Sequence, residues 1–405
     1  MNKIPQNSIN LARIFITGIG IITSLGESPD ENRIALKQGK CGITDLELVQ
    51  TRYAGKIPFG EIKIETETLK NQLKATESGV TRTSLLALHA LEQAINDAKL
   101  SASKISSSET AFINATTVGG MCLTDELYKD SNKLSIKSSY LSSYDFGSVA
   151  IYLQQRYQIG GIVTTINTAC SSSANAIMYG ARLIKNGYAK RVIVGGTDSI
   201  AKFTLNGFNS LMILSPETCK PFDNNRNGLN LGEGAAYLVL EAEETCKSKK
   251  IYAELTGFAN TNDAFHPSSL SSEGDGPFLA MKNTLDVAKL SPHKVDFINA
   301  HGTGTENNDE VESRAMLRLF KEVPSFASTK SNIGHTLGAS GAIEAVYSVL
   351  NIMHQEIYPN LGFENPIEST KLVPVLSYSK KEISHVLSNS FGFGGNCSSL
   401  LFSKI

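Results

Sequence analysis

No run of about 18 apolar residues occurs in this 405-residue chain, so no segment reads as a helix able to cross a membrane. No long basic run occurs either, and the formal net charge is −1. Bulk attraction to nucleic acid or to an anionic membrane is therefore excluded as a binding principle, and an acidic partner would need a local patch. Cysteine is sparse. Cys41, Cys122, Cys170, Cys219, Cys246 and Cys397 form no CxxC pair and no Cys/His metal spacing. Scattered cysteines in a long chain read as free thiols of a reducing, cytoplasmic compartment. One feature imitates a secretory leader: Lys3 and Arg13 precede "IFITGIGIITSLG". Gly18 and Gly20 break the apolar run, and its β-branched residues suit a strand and turn instead.

What is present is an ordinary globular composition, 41% hydrophobic and 19% charged, in a chain long enough for two structural units. Short β-rich runs ("RIFITGIGII", "TAFINATT", "RVIVGGTD", "AAYLVLEA") alternate with helical patterns such as Arg82 to Ala98. That alternation predicts a layered α/β architecture.

Two echoes suggest an internal duplication. "FINATTVGG" (Phe112 to Gly120) resembles "FINAHGTGT" (Phe297 to Thr305), and "TACSSSANAI" resembles "GHTLGASGAIEAV" (Gly334 to Val346). Both pairs keep the same order, which predicts two related halves meeting near residues 250–255. Equivalent strand ends would then converge on one cleft.

The chemistry is concentrated in the loops. Cys170 follows the β-branched run "IVTTI" and precedes a helical pattern with Ala174, Ile177, Met178, Ala181 and Ile184 on one face. A thiol at a helix N-terminus is expected to ionise more easily. His301 opens "HGTGT" after a strand, and His335 lies in "KSNIGHTLGASGA" before a small-residue helix. Glycines there let backbone approach a ligand. His89 reads as structural; His293, His354 and His385 carry no clear chemistry. The segment "SNSFGFGGNCSS" adds a fourth loop, with Phe391 and Phe393 placed to flank an apolar channel and glycines, Gly394 among them, exposing backbone N–H groups. Lys330 and Glu344 complete the set as a candidate buried pair. One cysteine with two histidines fits a hydrolase, which needs a single His base, or an enzyme using two imidazoles to stabilise an enolate.

The motifs "TACSSSANAI", "KPFDNNRNGLNLGEGAA", "NAHGTGTENNDEVES", "KSNIGHTLGASG" and "NSFGFGGN" resemble, in order, those of β-ketoacyl-acyl-carrier-protein synthases, the condensing enzymes of type II fatty-acid elongation and polyketide synthesis. The resemblance covers nearly the whole chain. It implies a thiolase fold: α/β, duplicated halves (1–252 and 253–405), mixed five-stranded sheets in α-β-α-β-α layers. It implies a cytoplasmic enzyme, a homodimer or heterodimer, that works with acyl- and malonyl-loaded acyl carrier protein and needs no metal or organic cofactor. By the same resemblance Cys170 takes the acyl chain, and the backbone N–H groups of Cys170 and Phe393 form the oxyanion hole. His301 and His335 assist decarboxylation. Lys330 pairs with Glu344, Thr303 and Thr305 hold the pantetheine arm, Phe393 is a gate, and Val118 lines the acyl pocket.

Three departures stand out. Asn308 precedes Asp309 where Gly is usual, Asn227 replaces a common Asp, and Met212 stands where an arginine for carrier docking is frequent. The first two resemble synthases of aryl-polyene or flexirubin-type pigments and imply an unsaturated or aryl-capped chain. Lys70, Lys74 and Arg82 are the candidates left for a basic patch. Two other readings remain: a thiolase, with Cys397 as second cysteine, and a silent chain-length factor, against which Cys170 argues.

Overall fold

A computed structural model describes residues 12–133, 138, 140–247 and 249–405; Lys3 lies outside the described residues. The first half contributes β1 (Ile14–Thr23), β2 (Thr110–Ala115), β3 (Val163–Ile166), β4 (Arg191–Asp198) and β5 (Gly234–Ala242). The second contributes β6 (Ala253–Asn262), β7 (Phe297–Asn299), β8 (Ser325–Ala327), β9 (His385–Gly392) and β10 (Asn396–Ser403). Their order is β3-β2-β4-β5-β1 followed by β6-β10-β9-β7-β8. Counted within its own half, each set runs 3-2-4-5-1. The directions repeat as well: 1–5 and 4–5 are antiparallel, 2–4 and 2–3 parallel, in both. The two sequence echoes fall on equivalent elements. The halves also share an edge, because β1 pairs with β6 at Phe15↔Glu254 and Ile16↔Ala253.

Seven helices matter for the site: α1 (Arg82–Asp97), α2 (Ser148–Tyr157), α3 (Ser172–Lys185), α4 (Lys202–Ser210), α5 (Asp275–Ala288), α6 (Glu306–Leu319) and α7 (Ser340–His354). One apolar cluster joins Ile177 and Ala181 of α3 to Ile343 and Val346 of α7, with Val192 of β4 and Leu400 of β10. Both sheets thus close on the same pair of helices. A second cluster packs α1 and α2 on the outer face of the first sheet, and a third packs α5 and α6 on the outer face of the second. The layering is α-β-α-β-α, as expected.

Both faces of β1 are covered, so all ten of its residues are buried and its sequence is almost continuously apolar. The glycines that break the leader-like run have a packing reason. A Cβ on Gly18 would lie 2.5 Å from the carbonyl oxygen of Ala94, and one on Gly20 would lie 2.0 Å from that of Ala90. Helix α1 presses onto the strand where side chains are missing. No described helix is long and apolar enough to cross a membrane.

Candidate active site

Between β3 and α3 the chain turns sharply. Ala169 sits at φ +54°, a left-handed conformation that costs a non-glycine residue roughly 1–2 kcal/mol. The three serines after Cys170 hold this elbow. Ser172 Oγ accepts from Thr168 N at 2.9 Å, Ser171 Oγ donates to Asn396 Oδ1 at 2.7 Å, and Ser173 Oγ accepts from Ala342 N at 2.8 Å. They tie the elbow to itself, to β10 and to α7. Gly392 ends β9 against the elbow, where a Cβ would stand 2.9 Å from Thr168 O and 3.2 Å from Cys170 N.

His301 follows β7 and His335 precedes α7, both fully buried. Their rings meet edge to face with centroids 5.5 Å apart. One ring nitrogen of each and the Cys170 sulfur lie within 4.8 Å of one another. The hydrogen bonds fix both tautomers. His335 Nδ1 accepts from Leu337 N at 3.0 Å and faces Ser340 Oγ at 3.1 Å. Its Nε2 is buried with no partner. His301 Nδ1 faces Lys330 Nζ at 3.2 Å. The same ammonium donates to His301 O at 2.7 Å and to Glu344 Oε1, which uses all three of its protons. Each imidazole therefore carries its proton on Nε2. Burial first, and the Lys330 charge second, hold both histidines well below their ordinary range, so they are neutral donors at neutral pH.

The thiol departs from expectation. Burial pushes Cys170 up to about 11, against the pull of the Phe393 backbone N–H, Lys330 and its own amide. The helix start lies where the sequence placed it, but in this dry site desolvation outweighs it. Burial likewise pushes Glu344 up to about 7 against Lys330.

A cleft of about 450 Å³ opens over these groups. Cys170, His301, His335, Thr303, Thr305, Phe391 and Phe393 all line it. Phe391 packs edge-on to His301, and Phe393 stacks on Phe208 of α4. Thr303 and Thr305 hydroxyls lie 2.8 Å apart on the wall. Lys330 and Glu344 stand behind the imidazoles.

Residues 11–245 match the N-terminal domain model of the Beta-ketoacyl synthases, and residues 252–364 match the C-terminal domain model.

The chain belongs to the β-ketoacyl synthase family.

It is a condensing enzyme, an acyltransferase by class. A putative mitochondrial 3-oxoacyl-[acyl-carrier-protein] synthase of Schizosaccharomyces pombe is 35% identical, covering 97% of this chain and 99% of the relative. The 3-oxoacyl-[acyl-carrier-protein] synthase 2 of Synechocystis is 34% identical, covering 97% and 98%. Among solved structures, the ishigamide ketosynthase/chain length factor superposes with TM-score 0.89 at 26% identity, covering 97% and 99% of the two chains. A ketosynthase in complex with its chain length factor from Xenorhabdus doucetiae gives 0.87 at 29%, covering all of both.

Other expected residues of this β-ketoacyl synthase lie outside the cleft lining. Val118 does not line the cleft. It is buried among Phe59, Ile200, Leu205, Leu229 and Leu337, its amide donating to Asp198. Gly394 is exposed and outside the lining; its backbone N–H donates to Pro267 O. Arg82 cannot serve a surface patch, since its guanidinium is buried on Glu233. Lys70 pairs with Glu67. Cys397 is buried beside Leu270 and Val311 and lies outside the cleft lining, so it does not supply a second reacting sulfur.

Three carboxylates had been given no role. Glu312 accepts from the amides of His301 and Gly302, both at 2.9 Å. Asp309 accepts from those of Thr303 and Gly304. Asp198 accepts from Thr117, Val118 and Gly338. Asp309 and Glu312 stand three apart on α6, one face of a helix opening beside the Gly-rich loop. That spacing was the available signal. As for metals, Cys170, His301 and His335 are a group of described side chains that could ligate an ion. The Lys330 ammonium against His301 opposes a dication there.

Proposed function

We propose that this chain transfers an acyl group from acyl carrier protein to Cys170 and condenses it with malonyl-acyl carrier protein. The observation that carries the reading is the pair of neutral Nε2–H donors facing the sulfur with both Nδ1 atoms already engaged. A hydrolase base needs a free acceptor nitrogen, and neither ring offers one. Two fixed donors suit a developing enolate oxygen.

In the first half-reaction the Cys170 sulfur attacks the thioester carbonyl. Its oxygen sits between the N–H groups of Cys170 and Phe393. The C–S bond to the carrier breaks, and the carrier thiolate takes the proton the cysteine gives up. In the second, malonyl-carrier enters past Thr303 and Thr305. The bond to its carboxylate breaks, carbon dioxide leaves, and the electron pair becomes an enolate held by His301 and His335. The enolate carbon attacks the acyl-cysteine; the sulfur departs and regains a proton from solvent. The balance is acyl-carrier plus malonyl-carrier plus one proton, giving β-ketoacyl-carrier, free carrier thiol and carbon dioxide. The equation calls for no metal or organic cofactor. Lys330 and Glu344 act behind the rings, as positioning groups.

The units 1–252 and 253–405 supply the sulfur and the imidazoles respectively. Strand β3 hydrogen-bonds only to β2 among the described strands, which leaves an edge for a second chain, either a copy or a chain-length factor. We place the enzyme in the cytoplasm. An unsaturated or aryl-capped chain fits the wording around Asn227 and Asn308.

Mass spectrometry after incubation with a panel of acyl-carrier proteins tests the reading. The expected mass gain is confined to Cys170, and the best acyl group names the substrate. His335→Ala should still acylate but release carbon dioxide from malonyl-carrier about 100–1000-fold more slowly. Acylation elsewhere, or undiminished decarboxylation, would sink the assignment.

A further inference from the structure

The cleft mouth carries an apolar surface that the chemistry below it does not use. On α4, Phe203 is 55% exposed and Leu211, capping the helix, is 47% exposed. They stand eight apart, with Gly207 midway, so the three share one outward face. Nothing lies within 4 Å of where a Gly207 Cβ would be, which makes a dimple between two large side chains. Met212 follows, 89% exposed at φ +58°. Its amide donates to Asn209 O to end the helix. Glycine or asparagine ordinarily takes that left-handed position. A methionine there is unfavourable in backbone and in solvation alike. A second lip carries Phe265, 65% exposed, three residues before Ser268 of the cleft wall.

The surface is continuous with the cleft. Leu211 and Met212 line its opening, and Phe208 on the other side of α4 stacks on Phe393 above Cys170. Cations beside it are largely engaged. Lys202 pairs with Asp125 at 2.7 Å and Lys220 with Glu364 at 3.5 Å. Arg226 is buried, donating to the carbonyls of Thr305 and Glu306. Arg52 lies over the Tyr53 ring and donates to its hydroxyl.

We infer that acyl carrier protein docks here through apolar contacts, an apolar helix face of the carrier seating in the Phe203–Gly207–Leu211 dimple with Met212 and Phe265 at its sides. This rests on the condensation reading, since only a substrate delivered on a protein arm brings a partner to this mouth. Exposed apolar patches of this kind mark protein contacts, and a helix laid in a groove is a recurring mode.

The experiment compares Phe203→Asp and Phe265→Asp with Lys202→Glu and Arg52→Glu in the full-length enzyme. Malonyl-carrier is titrated at low and high salt, and Cys170 is separately acylated by a small thioester lacking the protein. The two Asp variants should raise the carrier KM about tenfold each, with kcat and small-thioester acylation unchanged and little salt dependence. An unchanged KM in the Asp variants, with a steep salt dependence and a large effect of the charge reversals, would overturn apolar docking and leave the condensation reading standing. A change in oligomeric mass of the Asp variants would assign the patch to self-association and overturn the proposal too. If the wild-type enzyme releases no carbon dioxide with any carrier, the condensation reading itself fails.

Discussion

At the scale of single residues, the site is governed by desolvation. The same burial acts oppositely on its two kinds of group: it keeps the Cys170 proton on and keeps a second proton off each imidazole. The two half-reactions should therefore diverge with pH. Acylation should accelerate as pH rises through neutrality, with no plateau until the region of about 11. Decarboxylation by pre-acylated enzyme should stay level as pH falls through the ordinary histidine range, dropping only well below it. Stopped-time assays of each step check this; a shared acid limb near neutrality would contradict it. The sign for folding follows. Histidines with depressed values add stability above the free imidazole's range, and that contribution is lost as pH falls.

At the scale of elements, the loops were more legible than their supports. Glycine-rich strand ends and the β-branched run before Cys170 advertise a turn because backbone geometry demands those residues. Arg82 was misplaced because long-range packing, invisible locally, decides that it meets Glu233. Asp198, Asp309 and Glu312 look in sequence like solvated charges, and only the fold turns backbone amides toward them. The thiol's acidity failed for the same reason: the helix start is local, the dryness is not. The elbow yields a sharp test. Gly392→Ala forces a methyl against Thr168 O and Cys170 N. Acyl-enzyme formation should fall at least about 100-fold while the far-ultraviolet spectrum is retained. Wild-type acylation rates in that variant would show the close approach to be idle.

At the scale of the molecule, the duplication was readable from two echoes in matching order, and the repeated 3-2-4-5-1 strand order agrees with them. The depth of the joint was not readable. Only two residue pairs link β1 to β6, yet α3 and α7 share one apolar core between the sheets. Either half alone would expose that core to water. Residues 1–252 and 253–405 made separately should lack cooperative thermal unfolding, and co-expression should restore it. Independent two-state melting of either piece would refute this dependence.

The strand edge, the shared core and the triangle of reacting atoms have one joint consequence. The sulfur rides on one repeat and both ring protons on the other, so the span between them is a distance across a seam. Anything that wedges or squeezes that seam, a tethered substrate included, tunes the second step without touching a reacting group.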